Sequence, residues 1–304
     1  MNRYRTITIQ GLEFHRITKA DFADIARFMR LSDSRTCDYT FGGVVLWINH
    51  FGYTMAIQDN TLYIRGGRED DLSIPAFAMP VGDAGLEEAM ELLRASEEPT
   101  WLSAVPEDRL HIFASLAEAE VCELGREWSD YLYDINAMAD LGGGAMKRKR
   151  NHVNRFMAEH PDACLVEIDR HIAAECGRLL EAIVHDGSAR GRSDFEAVGG
   201  MLEGWDDYAP YFVGEALVVG GRIVGFTVGE TKGDTLHVHV EKCDHSVAGA
   251  NEALASMYAA EMRRRDGRLL YVNRQDDAGD AGLRASKESW RPLRLLPKFN
   301  IRLN

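Results

Sequence analysis

Two segments alternate apolar and polar positions around a pair of turn-forming residues. Met55-Ala-Ile-Gln-Asp-Asn-Thr-Leu-Tyr-Ile-Arg predicts two short strands joined at Asp59-Asn60, and the run from Ala216 to Val228 predicts two more joined at Gly220-Gly221. Each hairpin precedes a helical stretch that opens on glycine and carries Glu-Ala at the same offset: Gly85-Leu-Glu-Glu-Ala-Met and Gly249-Ala-Asn-Glu-Ala-Leu. Strand-like runs follow, Trp101-Leu-Ser-Ala-Val and Leu269-Leu-Tyr-Val-Asn, each running into an acidic turn, Pro106-Glu-Asp and Arg274-Gln-Asp-Asp. Strand, strand, helix, strand thus occurs twice, which predicts an α/β chain of two similar domains; chance agreement of common local patterns is the alternative. Trp128-Ser-Asp-Tyr-Leu-Tyr-Asp-Ile reads as a strand closing the first half, so the domains are expected at 1–136 and 137–304.

The 304 residues exceed what one core usually holds, which agrees with two domains. With 45% hydrophobic and 27% charged residues the composition is that of a globular protein. No apolar run approaches the length needed to cross a bilayer, and Met1-Asn-Arg-Tyr-Arg-Thr lacks the apolar core of a secretion signal, so a cytoplasmic chain is expected. The five cysteines, Cys37, Cys122, Cys164, Cys176 and Cys243, are odd in number and form no Cys-x-x-Cys pair, which fits reduced thiols.

Charge changes this picture. Against a formal net charge of -13, residues 147–155 read Lys-Arg-Lys-Arg-Asn-His-Val-Asn-Arg, just after Gly142-Gly143-Gly144. An acidic chain that concentrates positive charge in one segment can attract a phosphate-bearing partner locally, although a solvated helix face is the plainer explanation. A helix from Met146 to His160 would put Met146, Arg150, Val153 and Met157 on one stripe and Arg148, His152 and Arg155 on another. Arg150 would then lie among apolar neighbours, where a guanidinium must snorkel, pair, or face a cleft.

In the second half, strand Thr235-Leu-His-Val-His-Val-Glu leads through Lys242-Cys-Asp-His-Ser-Val-Ala-Gly into a helix from about Gly249 to Arg264. A turn of small residues before a helix N-terminus is a generic anion site, with Ser246 and Gly249 as its candidates; Ser246 or Asp244 as plain caps is the alternative. His237, His239 and Glu241 alternate and share a strand face. A metal site there is set aside for want of supporting ligands, and Glu241, at the strand end, is the candidate base. A second basic segment, Arg284, Lys287, Arg291, Arg294, Lys298 and Arg302, follows the loop from Asn273; its plain explanation is surface pairing with Asp276, Asp277 and Asp280. No nucleophile elbow, Walker loop, dinucleotide fingerprint or zinc-finger spacing occurs.

Cys37-Asp-Tyr-Thr-Phe-Gly with Trp47, Asp130-Tyr-Leu-Tyr-Asp, Lys149-Arg-Asn-His-Val-Asn-Arg-Phe, Tyr271-Val-Asn-Arg-Gln-Asp-Asp and Gly282-Leu-Arg-Ala-Ser-Lys together resemble a bacterial family grouped with the C-terminal catalytic domain of phosphatidylglycerol lysyltransferases. The resemblance implies a tandem pair of GNAT-like (N-acetyltransferase-like) domains, each a mostly antiparallel mixed sheet flanked by helices, as in Fem-type peptidyltransferases. Lys287, Trp290 and Pro292 are similar to the family's Lys-x-x-aromatic-x-Pro stretch, where basic residues serve aminoacyl-tRNA and lipid-phosphate chemistry. The helix from Lys149 to Phe156 is similar to the basic linker helix between the two Fem units. Two departures stand beside this: the resemblance does not reach the membrane-spanning flippase part, and the phosphate loop of acetyl-CoA enzymes is degraded to Ser246-Val-Ala-Gly-Ala-Asn.

The expectation is an acyl-group transferase whose second domain binds a phosphorylated donor, aminoacyl-tRNA or acyl-CoA, with no tightly bound cofactor and no metal. Its acceptor would be an amine or hydroxyl on a small molecule, lipid headgroup or peptide, reached in the cytoplasm or at the inner membrane face. Glu241, Lys287 and Arg284 are the expected catalytic residues; Lys149, Arg150, His152, Arg155, Ser246, Gly249 and Asn273 are the expected donor contacts. The first domain is expected to be mostly scaffold. The competing expectation is a non-catalytic GNAT-like protein that binds or senses an anionic ligand.

Overall fold

The computed structural model describes residues 6–9, 11–83, 86–95, 99–113, 119–183 and 189–304. Gly85, the expected opening of the first repeated helix, lies outside them. The chain forms two compact units, 1–129 with 296–304, and 130–295.

In the first unit the sheet runs β1 (Ile7–Ile9), β2 (Leu12–Arg16), β3 (Thr54–Gln58), β4 (Thr61–Arg68), β5 (Asp71–Phe77), β7 (Trp101–Pro106), then the chain's last strand Lys298–Arg302, and β8 (Glu120–Glu123); β6 (Val81–Gly82) pairs with β4. The second unit's sheet is ordered β10 (Cys164–Glu167), β11 (Val213–Val219), β12 (Arg222–Lys232), β13 (Thr235–Cys243), β14 (Tyr271–Asn273), β9 (Asp130–Asp134) and β15 (Arg294–Leu296), so the last strand of the chain is β16. The two expected hairpins are present as β3–β4 and β11–β12. Their turn residues take the left-handed conformation that a two-residue turn demands, with φ of 49° and 51° at Asp59-Asn60 and 56° and 74° at Gly220-Gly221.

The two sheets share one plan within an α/β architecture of two units: three antiparallel strands, a parallel neighbour, and then an antiparallel strand. In the first the series is β3, β4, β5, then parallel β7, then β16; in the second it is β11, β12, β13, then parallel β14, then β9. The antiparallel strand beside each parallel one comes from a distant part of the chain. That is why the units differ from a division at residue 136. β9, read from sequence as closing the first half, hydrogen-bonds to β14 through Tyr271↔Asp134, Val272↔Tyr133 and Asn273↔Leu132, and β16 returns to the first sheet.

Helices flank each sheet. Among them α1 (Phe22–Met29) and α2 (Leu86–Arg94) belong to the first unit, and α3 (Ile135–Asp140), α4 (Lys147–Glu159), α5 (Arg170–Ile183), α6 (Ala189–Glu203), α7 (Ala250–Arg265) and α8 (Ala281–Ser289) to the second. The alanine-rich α7 is buried along most of its length and ends on Arg263, Arg264 and Arg265, where cations suit the negative end of the helix dipole. It packs against Tyr131, Tyr133, Leu236, Val272 and Trp290 at one end and against Phe156, Leu217 and Val224 at the other.

Candidate functional site

In the second unit β13 and β14 pair only over Thr235↔Tyr271, Leu236↔Val272 and His237↔Asn273; β13 then continues six residues beyond β14, still paired with β12 on its other side. A parallel pair that parts in this way exposes backbone and side chains from both strands, and polar residues gather there. Glu241, past the parting on β13, accepts a hydrogen bond from Arg274 Nη2 at 2.6 Å, directly after β14. The Arg274 guanidinium lies 5.5 Å from the Trp290 ring centroid and 5.9 Å from that of Tyr133. Its Nη1 is buried and has no hydrogen-bond partner among the described residues. A buried donor left unsatisfied costs about 1–3 kcal/mol, so it is a feature that calls for a reason.

Lys149 arrives from α4. It is 8% exposed, bonds Glu252 Oε1 at 3.1 Å and sits 4.8 Å over the Trp290 ring. Burial lowers the pKa of its ammonium, and the Glu252 carboxylate opposes that shift. His152, one turn on, places Nδ1 3.7 Å from the same Glu252 oxygen. Lys147 and Arg148 open α4, where the helix dipole disfavours cations; no acidic residue relieves them in the first turn. The helix is held instead by Met146 and Phe156, which are buried in the core. Local charge is unfavourable here while packing is favourable, a conflict expected where a segment serves binding.

From α8, Lys287 donates through Nζ to the carbonyl of Arg274 at 2.6 Å and to that of Asp276. Tyr133 Oη in turn donates to the Lys287 carbonyl at 2.9 Å. Lys287 thus fixes the loop that carries Arg274. Arg284 makes a two-pronged bond to Asp277, 2.8 Å on each oxygen, and Tyr131 Oη donates to Asp277 Oδ2 at 2.6 Å. Asp277 is fully buried, so this pair is not the exposed salt bridge that was the plain expectation for the tail. Burial alone would raise the Asp277 pKa; the hydrogen bonds from Arg284, Tyr131 and the Gly279 amide override it and hold the carboxyl well below the usual range. Asn273 bonds Asp130 Oδ2 at 2.7 Å and accepts from the Gln275 amide at 2.7 Å, bracing the same loop.

The remaining expected residues lie as follows. Arg150 Nη1 donates to the carbonyls of Leu141 and Gly143, closing the C-terminal end of α3. Arg155 is exposed and pairs with Glu159 at 2.8 Å. Ser246 is held by Asp244, which accepts from its amide and hydroxyl at 2.9 and 2.5 Å. Gly249 precedes α7 with φ of 83°, and a Cβ there would stand 3.0 Å from the His152 carbonyl oxygen, so α4 lies directly against the start of α7. On β13, His239 bonds Glu230 through Nε2 and Gln275 through Nδ1, each at 2.8 Å, while His237 is fully buried and neither ring nitrogen has a partner among the described residues. Burial lowers the His237 pKa well below its ordinary value. The structure therefore brings together Glu241, Lys149, His152 and Lys287, and adds Arg274, Trp290, Tyr133 and Glu252 to them. Arg274 carried no periodic signal in sequence; its position directly after a strand end, in Tyr271-Val-Asn-Arg, is the one mark it had.

The family model for the phosphatidylglycerol lysyltransferase C-terminal region matches residues 29–302. The chain belongs to this family. Among solved structures it is similar to a conserved protein of unknown function from Bacteroides thetaiotaomicron, with 29% identity, a TM-score of 0.85, and coverage of 96% of this chain and 100% of that one. It is also similar to a domain described as the C-terminal part of a lysylphosphatidylglycerol synthetase from Agrobacterium fabrum, with 14% identity, a TM-score of 0.63, and coverage of 94% and 93%. FemX gives 10% identity and a TM-score of 0.59, with coverage of 96% and 97%; at these identities the last two likenesses concern the fold. An uncharacterized protein of Mycoplasmoides gallisepticum is 22% identical over 181 residues, 58% of this chain and 56% of that protein's length. Membership ties this chain to proteins named for aminoacyl transfer. Among its described residues no helix is long and apolar enough to cross a membrane.

Proposed function

We propose that the protein is an acyl-group transferase whose second unit takes an aminoacyl or acyl group from a phosphorylated donor, aminoacyl-tRNA or an acyl-CoA, and passes it to an amine or hydroxyl. The observation that carries this reading is the Arg274 guanidinium: it lies at the parting of β13 and β14, with one buried donor unsatisfied and a carboxylate, Glu241, beside it. An oxyanion or phosphate oxygen entering the split would satisfy that donor and gain from Lys149 nearby. The cationic start of α4 would draw the donor in.

In the reaction the acceptor nitrogen or oxygen forms a bond to the donor's carbonyl carbon, and the bond to the ribose oxygen or thiol sulfur breaks. Glu241, once released from Arg274 by the incoming anion, takes the proton lost by the acceptor, and the leaving oxygen or sulfur takes up a proton from solvent or from the base. Lys287 is a positioning residue, since its ammonium is spent on the carbonyls of Arg274 and Asp276. A lipid headgroup or peptide as acceptor, a cytoplasmic setting with contact at the inner membrane face, and a scaffolding role for residues 1–136 all belong to this reading.

One observation favours the non-catalytic alternative: Glu241 and Arg274 form a close, mostly buried ion pair at 2.6 Å, as structural residues would. The test is incubation of purified protein with labelled acetyl-CoA and, separately, with charged tRNA, adding amine or lipid acceptors. Label transfer that disappears in Glu241→Gln supports transferase chemistry. Saturable donor binding with no transfer to any acceptor would favour the sensor.

A further inference from the structure

Past Asn273 the chain stays on β9 through its backbone: the Arg274 amide donates to the Tyr131 carbonyl and the Tyr131 amide to the Gln275 carbonyl, each at 3.1 Å. Across the parting, toward β13, it is tied by side chains. Arg274 reaches Glu241, and Gln275, the next residue, donates through Nε2 to His239 Nδ1 at 2.8 Å. The two ties have different surroundings. Arg274 lies beside the rings of Trp290 and Tyr133, while the His239 ring lies 5.8 Å from that of Phe212.

Several features commit Gln275 to its bond. The β12–β13 register passes from Gly229↔Val238 to Val228↔Val240, so His239 is the extra residue of a bulge, a device that re-aims a side chain. The imidazole is enclosed and fixed on its other side by Glu230 Oε1 at 2.8 Å. An amide nitrogen only donates, so Nδ1 accepts from Gln275 and the ring proton sits on Nε2, directed at Glu230. Gln275 itself holds φ of 58°, with its own amide donating to Asn273 Oδ1 at 2.7 Å. A non-glycine residue in that conformation is costly and persists where its surroundings enforce it.

On the transferase reading of this seam, an anion that takes Arg274 from Glu241 opens one of the two ties and leaves the other to set the spacing of the strands. We infer that Gln275 is a positioning residue: through His239 and Glu230 it holds the gap between β13 and β14 at one width while the Arg274 guanidinium exchanges partners. Gln275 acts without touching the reacting group. A hydrogen bond across the gap transmits position through its direction and length, so the effect belongs to the oriented amide and not to the volume of the side chain.

Arginine side-chain NMR on the full chain tests this without any donor. Gln275→Met keeps the length of the side chain and removes the amide; rotation of the Arg274 guanidinium, slowed by its bond to Glu241, should then speed up about fivefold, the weight of one hydrogen bond. Arg284, held by two bonds to Asp277 in the same loop, should keep its rate. Gln275→Glu is the conservative rescue: its carboxylate accepts from a protonated Nδ1, so His239 should carry protons on both ring nitrogens and Arg274 should slow again. An unchanged Arg274 rate in Gln275→Met, an equal acceleration of Arg284, or a Gln275→Glu variant as fast as Gln275→Met overturns the proposal. With labelled donor and acceptor, Gln275→Met should lower kcat about fivefold and leave the donor KM within about twofold; a raised KM at unchanged kcat would make Gln275 a donor contact and overturn the positioning role. Absence of transfer in the unaltered protein counts against the transferase reading, whereas the Arg274 spectra need no donor, so the two failures are told apart.

Discussion

The two units open the same seam of the same sheet plan and fill it differently. In the second, the parting of β13 and β14 is bridged by the Arg274–Glu241 pair, roofed by Trp290 and Tyr133 and supplied with a further cation by Lys149. In the first, β5 and β7 pair only at Phe77↔Leu102, the charged residues that line the hollow beside them are Asp38 and Glu69, and Lys298 of β16 bonds Asp38 at 2.8 Å. A parallel pair that parts is thus a constant of the architecture, while the sign of the charge placed in it is free to vary. The sheet plan leaves that choice open, so the chemistry of each seam is set by the side chains placed in it.

The comparison breaks first at Lys298, a cation only 1% exposed. Lys298→Ala should cost about 3–5 kcal/mol in urea denaturation, because it leaves the Asp38 carboxylate without its cation inside the first sheet. Arg274→Ala, at a pair with side chains 10% and 16% exposed, should cost less, about 3 kcal/mol. Pairing it with Glu241→Leu should restore part of that loss, since the second change removes the stranded carboxylate. If the double variant is as unstable as the sum of the two single ones, the pair is not coupled and the bridged seam is wrongly drawn.

Asp277 sharpens the contrast through pH. Its pKa in the folded protein lies below that of the unfolded chain, so its contribution is fully present above about pH 4, the ordinary aspartate range, and is lost as pH falls from there toward the folded value. The second unit should therefore weaken across this acid window. In Asp277→Asn the urea midpoint should be lower at neutral pH and fall less steeply below pH 4; an unchanged slope would remove the assignment.

The legible parts of the chain were those with local causes. The β3–β4 and β11–β12 hairpins announced themselves through Asp59-Asn60 and Gly220-Gly221, α4 through its spacing, and α7 through the opening glycine and Glu-Ala pair it shares with the first half. β5 did not, because Asp71 to Phe77 is mostly exposed and contains Pro75, so neither alternation nor strand propensity marks it. β16 joins the first sheet across nearly two hundred residues, a pairing no local pattern encodes. At the site, helical spacing put Arg150 on the apolar stripe of α4, yet Lys149 is the cation that turns inward, because Glu252 and the Trp290 ring offer it a partner and a face. The partner of Arg274 was hidden for the same reason: its carboxylate lies 33 residues earlier on another strand.

The smallest expected effect is at Arg155, and it separates a charge that holds the fold from one that greets a ligand. Its side chain is 74% exposed and bonded to Glu159 four residues on, a pairing that solvent screens and that contributes little to stability. Arg155→Ala should therefore leave the denaturation midpoint almost unmoved. If α4 steers a phosphorylated donor by its field, the same change should weaken donor binding modestly at low salt and not at all at high salt, because exposed charges are screened beyond about 10 Å at 0.1 M ionic strength. Lys149→Met acts at a buried cation beside Trp290, so its effect on donor binding should persist at high salt. Equal salt dependence for the two variants would mean that α4 presents one undifferentiated basic face and that the seam of the second unit does not distinguish the cations placed around it.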